Sequence, residues 1–269
     1  MNLPDIEHAA DIAYRQSGKA RARDVVLLHG IGSTSAVWRA QFATLGEHYR
    51  VVAWSAPGYH DSLPLPGESP PASAYADALA RLLDAVGVSE ADFVTNSWGT
   101  LCALAFASSY PKRVRSLVLG GPTVGAHGLS PEQREKLAAE RIARVRSVGL
   151  ARMREQDAPR LVAASATPDA VDWAKRGVPG EAPSAEGYCQ AARMLYATDG
   201  VALIAPLPHP VLVISGTEDV VTPPEKNAKR LAEAARNGQL AMIDACGHLP
   251  HVEQPGRFNA LVLDFLEGR

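Results

Sequence analysis

Short apolar runs, each closed by a Gly, Pro or Ser turn, recur along this chain and limit what it can fold into. They are DVVLLHG (24–30), RVVAWSAPG (50–58), ADFVTNS (91–97), RSLVLGG (115–121), PVLVISG (210–216) and QLAMIDA (239–245). Most are nearly continuous rather than alternating, the pattern of strands covered on both faces in a parallel sheet. The more polar stretch 9–17 (AADIAYRQS) reads as an edge strand. Helical patterns lie between the runs. Over 72–87, Tyr75, Leu79, Leu82, Leu83 and Val86 fall at helical spacing, with Ser73 as the expected N-cap and Gly87 as the stop. Residues 98–109, 224–236 and 255–267 read as further helices, and Pro224 and Pro255 sit near starts, where a missing N–H costs little. Strand–helix–strand alternation of this kind predicts a doubly wound α/β fold with a mostly parallel sheet and right-handed crossovers.

The rhythm breaks between 123 and 205, where no strong strand occurs. Ser130-Pro131-Glu132-Gln133 is a good helix start, and Pro159, Pro168, Pro179 and Pro183 punctuate a series of short helices. We expect a core of residues 1–122 and 206–269, with 123–205 inserted as a helical cap. PLPGESPP (64–71) reads as a surface loop.

Charge narrows the partners. The chain of 269 residues has 27 Lys and Arg against 29 Asp and Glu, a net charge of -2 with His neutral. That balance gives no electrostatic case for nucleic acid or an anionic membrane. No stretch approaches ~18 uninterrupted apolar residues, so no membrane span is expected. Cys102, Cys189 and Cys246 are far apart and form neither a disulfide framework nor a metal-binding Cys pair, so small buried residues in a reduced compartment are expected. The opening MNLPDIEHAADIAY shows no basic start followed by an apolar run, so the expected location is the cytoplasm. The expected partner is a small-molecule substrate, with the oligomeric state open and a homodimer among the options.

Chemistry concentrates at the ends of the predicted strands. In FVTNSWGT (93–100) an apolar strand ends at Ser97, and the small-residue helix GTLCALAFAS begins at once. A serine on so sharp a turn is pushed above the sheet edge with its hydroxyl exposed. The helix N-terminus beneath it supplies free N–H groups and a positive dipole end. Gly99 lets strand and helix approach closely, whereas β-branched Thr95 is expected to widen or strain the turn. The plain alternative for Ser97 is an ordinary helix N-cap. In LLHGIGST (27–34) a strand ends in a glycine-flanked turn. There the Ile31 N–H, with the Trp98 N–H, is expected to form a two-donor oxyanion hole. The His29 side chain more simply braces that turn as a hydrogen-bond partner. The Trp98 ring either walls a pocket or packs into the core.

Two further strand ends offer an acid and a base. In VLVISGTEDVVTPP (211–224) either Glu218 or Asp219 puts a carboxylate at the C-terminal edge of the sheet, where α/β proteins build their sites. A turn-capping acid is the plain alternative. In IDACGHLPHVEQP (243–255) His248 is preferred over His251, because Gly247 lets it reach over the sheet. His251 is expected to pack or hydrogen-bond beside the site. In the cap, Met153, Trp173, Tyr188, Met194 and Tyr196 are candidates for an apolar lining, though each could simply pack. Of Arg141, Arg144, Arg146, Arg152 and Arg154, most are expected on a solvated face, because burying an unpaired Arg is costly.

Taken in chain order, a backbone turn, then Ser, then a carboxylate, then His, each at a strand end, the sequence resembles the α/β-hydrolase fold superfamily. The resemblance is to the branch with a helical cap between strands six and seven. It spans essentially the whole chain, with the cap matched by position alone. It implies a catalytic triad of Ser97, Asp219 (rather than Glu218) and His248, an oxyanion hole from Ile31 and Trp98, and neither metal nor organic cofactor. GHLPHVEQP (247–255) is similar to the segment carrying the catalytic His in many esterases and lactonases of the family. Two positions depart from the usual Asp-x-x-Gly-x-Gly-x-Ser loop, since Ser55 and His60 stand in Ser55-Ala56-Pro57-Gly58-Tyr59-His60-Asp61-Ser62. A Ser nucleophile argues against haloalkane dehalogenases and epoxide hydrolases, which use Asp. The expected reaction is hydrolysis of a carboxylic ester or lactone through an acyl-enzyme. Carbon–carbon hydrolysis of ring-fission products ranks second. Asn96-Ser97 is similar to the Gly-Asn-Ser of those enzymes, but they typically carry a Trp where this chain has Leu249, and a substrate-binding cap Arg. A ligand receptor or a lyase on the same fold is the third reading.

Overall fold

The computed structural model describes residues 3–19 and 23–268. Within them the chain forms β1 (Glu7–Ala9), β2 (Ile12–Ser17), β3 (Asp24–Leu28), α1 (Arg39–Leu45), β4 (Arg50–Trp54), α2 (Ala72–Ala85), β5 (Ala91–Asn96), α3 (Gly99–Ser109) and β6 (Val114–Gly120). Five helices follow: α4 (Pro131–Val148), α5 (Leu150–Leu161), α6 (Pro168–Arg176), α7 (Ala185–Ala197) and α8 (Gly200–Ile204). The chain then runs through β7 (Pro210–Gly216), α9 (Ala228–Ala234), β8 (Asn237–Ile243), α10 (Pro250–Glu253) and α11 (Pro255–Glu267). The strands form one sheet in the order β1-β2-β4-β3-β5-β6-β7-β8. β1 pairs antiparallel with β2, and β2 antiparallel with β4. Every pair from β4 through β8 is parallel.

The continuous apolar runs have the physical cause that the sequence implied. Along β3, Val26 and Leu28 face a cluster with Leu79 and Leu82 of α2, Leu104 of α3 and Leu231 of α9. Val25 and Leu27 face the opposite cluster, with Phe42 of α1 and Val262 and Phe265 of α11. Helices thus cover both sides, and each fully buried Val or Leu adds about 1.5–3 kcal/mol over its exposed state.

Four local expectations are corrected. Residues 9–17 do not form one edge strand. Ala10 (φ 49°) and Asp11 (φ 65°) make a tight left-handed turn, so β2 lies inside the sheet and three-residue β1 takes the edge. Ser73 is not the cap of α2, because Pro71 stands at the N-cap and Ser73 falls inside the first turn. The helix expected over 224–236 shortens to α9, since Pro223 and Pro224 shape a preceding turn that closes through Asn227 N–H to the Pro223 carbonyl (3.1 Å). β8 has the apolar texture of the buried strands, yet Asn237–Leu240 and Met242 are exposed.

The segment between β6 and β7 holds α4–α8. A capping box starts α4: Ser130 Oγ accepts from Gln133 N–H (3.3 Å), and Gln133 Oε1 accepts from Ser130 N–H (2.8 Å). Ile142, Val145, Met153, Tyr188 and Ala192 form its own apolar cluster. The loop between α6 and α7 is fastened to the core through His60 N–H to the Ala182 carbonyl and Ser184 N–H to the Gly58 carbonyl, both 2.9 Å. No helix among the described residues is long and apolar enough to cross a membrane.

Candidate active site

Ser97 sits between β5 and α3 with φ 51°, a left-handed conformation that a serine adopts only when its surroundings impose it. The neighbours that impose it are backbone. Ser97 N–H donates to the Gly120 carbonyl (3.0 Å), and Thr100 N–H donates to the Ser97 carbonyl (3.0 Å). A Cβ on Gly99 would lie 2.2 Å from the Leu28 carbonyl oxygen, so only glycine lets α3 start this close to β3. The expected widening at Thr95 does not occur. Thr95 pairs in register with Leu28 and Leu119, and its hydroxyl lies 3.2 Å from that of Thr100. The strain resides in Ser97 itself.

The turn after β3 abuts Ser97, since a Cβ on Gly30 would lie 3.3 Å from the Ser97 Cβ. Among the described residues, neither Ile31 N–H nor Trp98 N–H donates to any protein acceptor. His29 braces the turn. Its Nε2 accepts from Ala56 N–H (3.0 Å) and its Nδ1 donates to the Gly30 carbonyl (2.8 Å), which fixes one neutral tautomer. Full burial pushes its pKa down to about 4. The Trp98 ring packs into the core, stacked on Tyr59 (5.9 Å) and edge-on to Tyr75 (5.2 Å).

Asp219, in the loop after β7, and His248, in the loop after β8, meet. His248 Nδ1 lies 2.9 Å from Asp219 Oδ2, with both side chains almost fully buried. Asp219 Oδ1 also accepts from Val221 N–H (2.9 Å) and Thr222 N–H (2.8 Å), and the Thr222 hydroxyl donates to Oδ2 (2.8 Å). Burial alone would raise the Asp219 pKa, but the hydrogen bonds from His248 and Thr222 outweigh it and hold the carboxyl below its ordinary value. An ionised Asp219 keeps the proton on His248 Nδ1 and leaves the Nε2 lone pair available. Glu218 takes no part in these contacts. His251 is buried against Trp38 (ring centroids 4.5 Å apart), and neither of its nitrogens has a partner among the described residues.

The His248 loop is pinned from three sides. Asn96 Nδ2 donates to the His248 carbonyl (3.2 Å), and His248 N–H donates to the Leu161 carbonyl at the end of α5 (2.9 Å). Glu253, buried in α10, accepts from Gly247 N–H (3.0 Å), Leu249 N–H (3.2 Å) and Ala163 N–H (2.8 Å). Sequence reasoning passed over Glu253 because an acid in a short helix carries no signal of three backbone donors aimed at it.

Ser97, His248 and Ile31 share the wall of a cavity of about 1400 Å³ with Met153, Trp173, Tyr188 and Tyr196 from the helical segment. Met194 instead packs in the core. Arg141 also lines this cavity. Its Nε donates to the Tyr188 hydroxyl (2.8 Å), and no carboxylate among the described residues pairs with it. The signal for an inward Arg141 was available, since Ala138, Ile142 and Val145 are the buried stripe of α4 and Arg141 lies on it. Arg144 pairs with Asp157, Arg146 and Arg152 are exposed, and Arg154 donates to the Ala174 carbonyl. Among the described residues no group of three or more His, Cys, Asp or Glu is placed to hold a metal ion, and all three cysteines are free and buried.

With this geometry in view, the likeness to known proteins is informative. The α/β hydrolase fold family model matches residues 25–255. The 2-hydroxy-6-oxononadienedioate/2-hydroxy-6-oxononatrienedioate hydrolase 2 of Pseudomonas putida is 30% identical over 91% of this chain and 88% of its own length. The 2-hydroxymuconate semialdehyde hydrolase of Pseudomonas sp. (strain CF600) is 30% identical over 98% of this chain and 95% of its own. A thermophilic esterase from Thermogutta terrifontis superposes with a TM-score of 0.85 at 29% identity, covering 96% of this chain and 94% of that one. The ordered strand ends, the strained serine turn and these likenesses agree, and the chain belongs to the α/β-hydrolase fold family, whose members named here are hydrolases.

Proposed function

We propose that the chain is a serine hydrolase that attacks the carbonyl of a small carboxylate-bearing ester or lactone. The observation that carries the reading is the buried Asp219–His248 contact (2.9 Å) beside a cavity that also exposes Ser97 on its strained turn. In the proposed reaction His248 Nε2 takes the Ser97 proton as the hydroxyl attacks the carbonyl, and Asp219 stabilises the imidazolium. The Ile31 and Trp98 N–H groups receive the oxyanion. His248 then protonates the leaving oxygen, and water, deprotonated by the same imidazole, releases the acid from Ser97. Arg141 supports an anionic substrate, because a cavity-lining guanidinium without a carboxylate partner favours a ligand that brings one.

Carbon–carbon hydrolysis is the second reading. The Pseudomonas putida relative acts by name on a dioate, which fits the same Arg141 with no carboxylate partner among the described residues. Leu249 in place of the Trp typical of those enzymes is why ester or lactone cleavage stands first.

A fluorophosphonate probe should label the wild type and leave Ser97→Ala unlabelled, with repeated turnover of short p-nitrophenyl esters by the wild type alone. Labelling of Ser97→Ala refutes the nucleophile, and a single slow turnover points to a receptor. Arg141→Met should raise KM for a carboxylate-bearing ester by roughly 10-fold or more, the worth of one charge-assisted hydrogen bond, and leave a neutral ester unchanged. A higher kcat/KM on a 2-hydroxy-6-oxo-dienoic acid than on any ester or lactone would put the second reading first.

A further inference from the structure

Arg141 and Tyr188 line the cavity as adjacent donors. Arg141 Nε donates to the Tyr188 hydroxyl (2.8 Å), which occupies a lone pair of the phenol and leaves its proton to point elsewhere. No acceptor among the described residues takes that proton, although Tyr188 is only 1% exposed and its side chain lines the cavity. A buried donor of this kind calls for an acceptor, which here a ligand can bring. The Tyr196 hydroxyl bonds to the same guanidinium, and N–H groups of Arg141 still remain for a planar carboxylate.

Where this pair stands relative to His248 decides which part of a substrate it holds. The Tyr188 ring packs on Ile31 in the turn after β3, and a Cβ on Gly32 would lie 3.5 Å from its Cε2. Helix α5 spans the way from there to His248. Met153, near the start of α5, shares an apolar cluster with Tyr188, and the carbonyl of Leu161, its last residue, accepts from His248 N–H (2.9 Å). The helical rise between those two residues is roughly 12 Å. The leaving oxygen of an ester must lie within reach of His248 Nε2. A carboxylate at the end of the cavity remote from His248 therefore belongs to the acyl half.

We infer that Arg141 and the Tyr188 hydroxyl together hold a carboxylate on the acyl half of the substrate, which makes the chain a hydrolase of dicarboxylic acid half-esters. The inference rests on the serine-hydrolase reading above and adds the orientation of the substrate. Ser97 Oγ adds to the ester carbonyl, the carbon–oxygen bond to the alcohol breaks, and the departing alkoxide takes the proton from His248. Water then releases the acid, so the products are a dicarboxylate and a neutral alcohol. The carboxylate stays on Arg141 through both halves of the turnover, because it is part of the acyl group bound to Ser97.

Three esters of similar size test the orientation on the wild type. Monoethyl adipate carries its carboxylate on the acyl side, the reversed isomer 6-acetoxyhexanoate carries it on the alcohol side, and ethyl hexanoate carries none. We expect kcat/KM for monoethyl adipate to exceed that for either of the others roughly tenfold or more. Tyr188→Phe keeps the ring on Ile31 and should cut the ratio of monoethyl adipate to ethyl hexanoate several-fold, and Arg141→Met should remove it. A merely structural role would lower both esters alike and leave the ratio where it was. A preference for 6-acetoxyhexanoate, no preference over ethyl hexanoate, or an unmoved ratio in Tyr188→Phe overturns the inference. Each of these leaves the nucleophile standing while the fluorophosphonate still labels Ser97, whereas a wild type that takes no label overturns both readings.

Discussion

Two buried histidines make acid the sharpest probe of this fold. His29 has its Nε2 lone pair engaged by Ala56 N–H, so protonation breaks that bond inside a fully buried site, and its pKa is pushed down by burial to about 4. His251 lies between Trp38 and Phe258, and burial, helped by nearby His248, pushes its pKa to about 3. In the unfolded chain both return to about 6.5. Between those values only the unfolded state binds the proton, so stability is complete above about pH 6.5 and is lost as pH falls toward the folded values. At 1.36 kcal/mol per pH unit, each histidine removes about 2 kcal/mol by about pH 5, and the pair about 4 kcal/mol. Against a typical total of about 5–15 kcal/mol that is a large fraction. Urea denaturation at steps from about pH 7.5 to about pH 5 reads it before most carboxylates titrate. His251→Phe should keep the stability at the upper end and show about half the acid loss, because its ring site is apolar and one proton is removed from the balance. A wild-type stability that is flat over this range, or an undiminished loss in His251→Phe, refutes the reasoning.

Other expectations rest on backbone geometry near the site. Ser97→Gly should abolish ester turnover yet stabilise the fold by about 1 kcal/mol, since glycine occupies φ 51° without strain; thermal melts alongside the ester assay check both halves, and a lowered melting temperature contradicts the account. Gly99→Ala drives a Cβ to 2.2 Å from the Leu28 carbonyl oxygen and should cost roughly 1–3 kcal/mol, with activity falling as α3 is pushed off β3. An unchanged melting temperature would show that the approach is not constrained. Glu253→Gln leaves one acceptor oxygen for the Gly247, Leu249 and Ala163 N–H groups, so we expect a loss of about 1–3 kcal/mol and a drop in kcat from a looser His248. Wild-type kcat in that variant would argue that His248 needs no such bracing.

What the sequence could report depended on whether the physics was local. β3, β5 and β7 were legible because helices cover both faces, and most positions in each run are apolar for that reason. β8 misled because side-chain polarity does not record whether a strand has a neighbour on its outer side. The hairpin of β1 and β2 was hidden because Ala10 and Asp11, neither of them glycine, adopt the left-handed turn. The Asp219–His248 contact was readable because parallel strands end on one edge, so residues just past β7 and β8 converge there. Arg141 was not singled out among the cap arginines, although its place on the Ala138–Ile142–Val145 stripe held the information.

The helical segment between β6 and β7 resisted sequence reading for a related reason, since its placement rests heavily on charges far apart in the chain. Arg15 of β2 is buried, and its guanidinium donates to Ser35 Oγ (2.8 Å) and to both carboxylate oxygens of Glu181 (3.1 and 2.6 Å), which lies in the loop between α6 and α7. The family resemblance drawn from the sequence implies an Asp at the start of the loop after β4. This chain has Ser55, whose hydroxyl reaches Ser35 (3.1 Å) and brings no charge. The carboxylate beside Arg15 therefore comes from the loop between α6 and α7, and lifting that loop would leave a buried cation without its anion, a state far costlier than a lost contact. Glu253 does the converse on the other side, where a carboxylate of α10 takes the Ala163 N–H of the helical segment together with the backbone around His248. A helical segment held at both sides by buried carboxylates is located by partners rather than by apolar texture. The residues that fix its position thus look, in sequence, like any other surface acids.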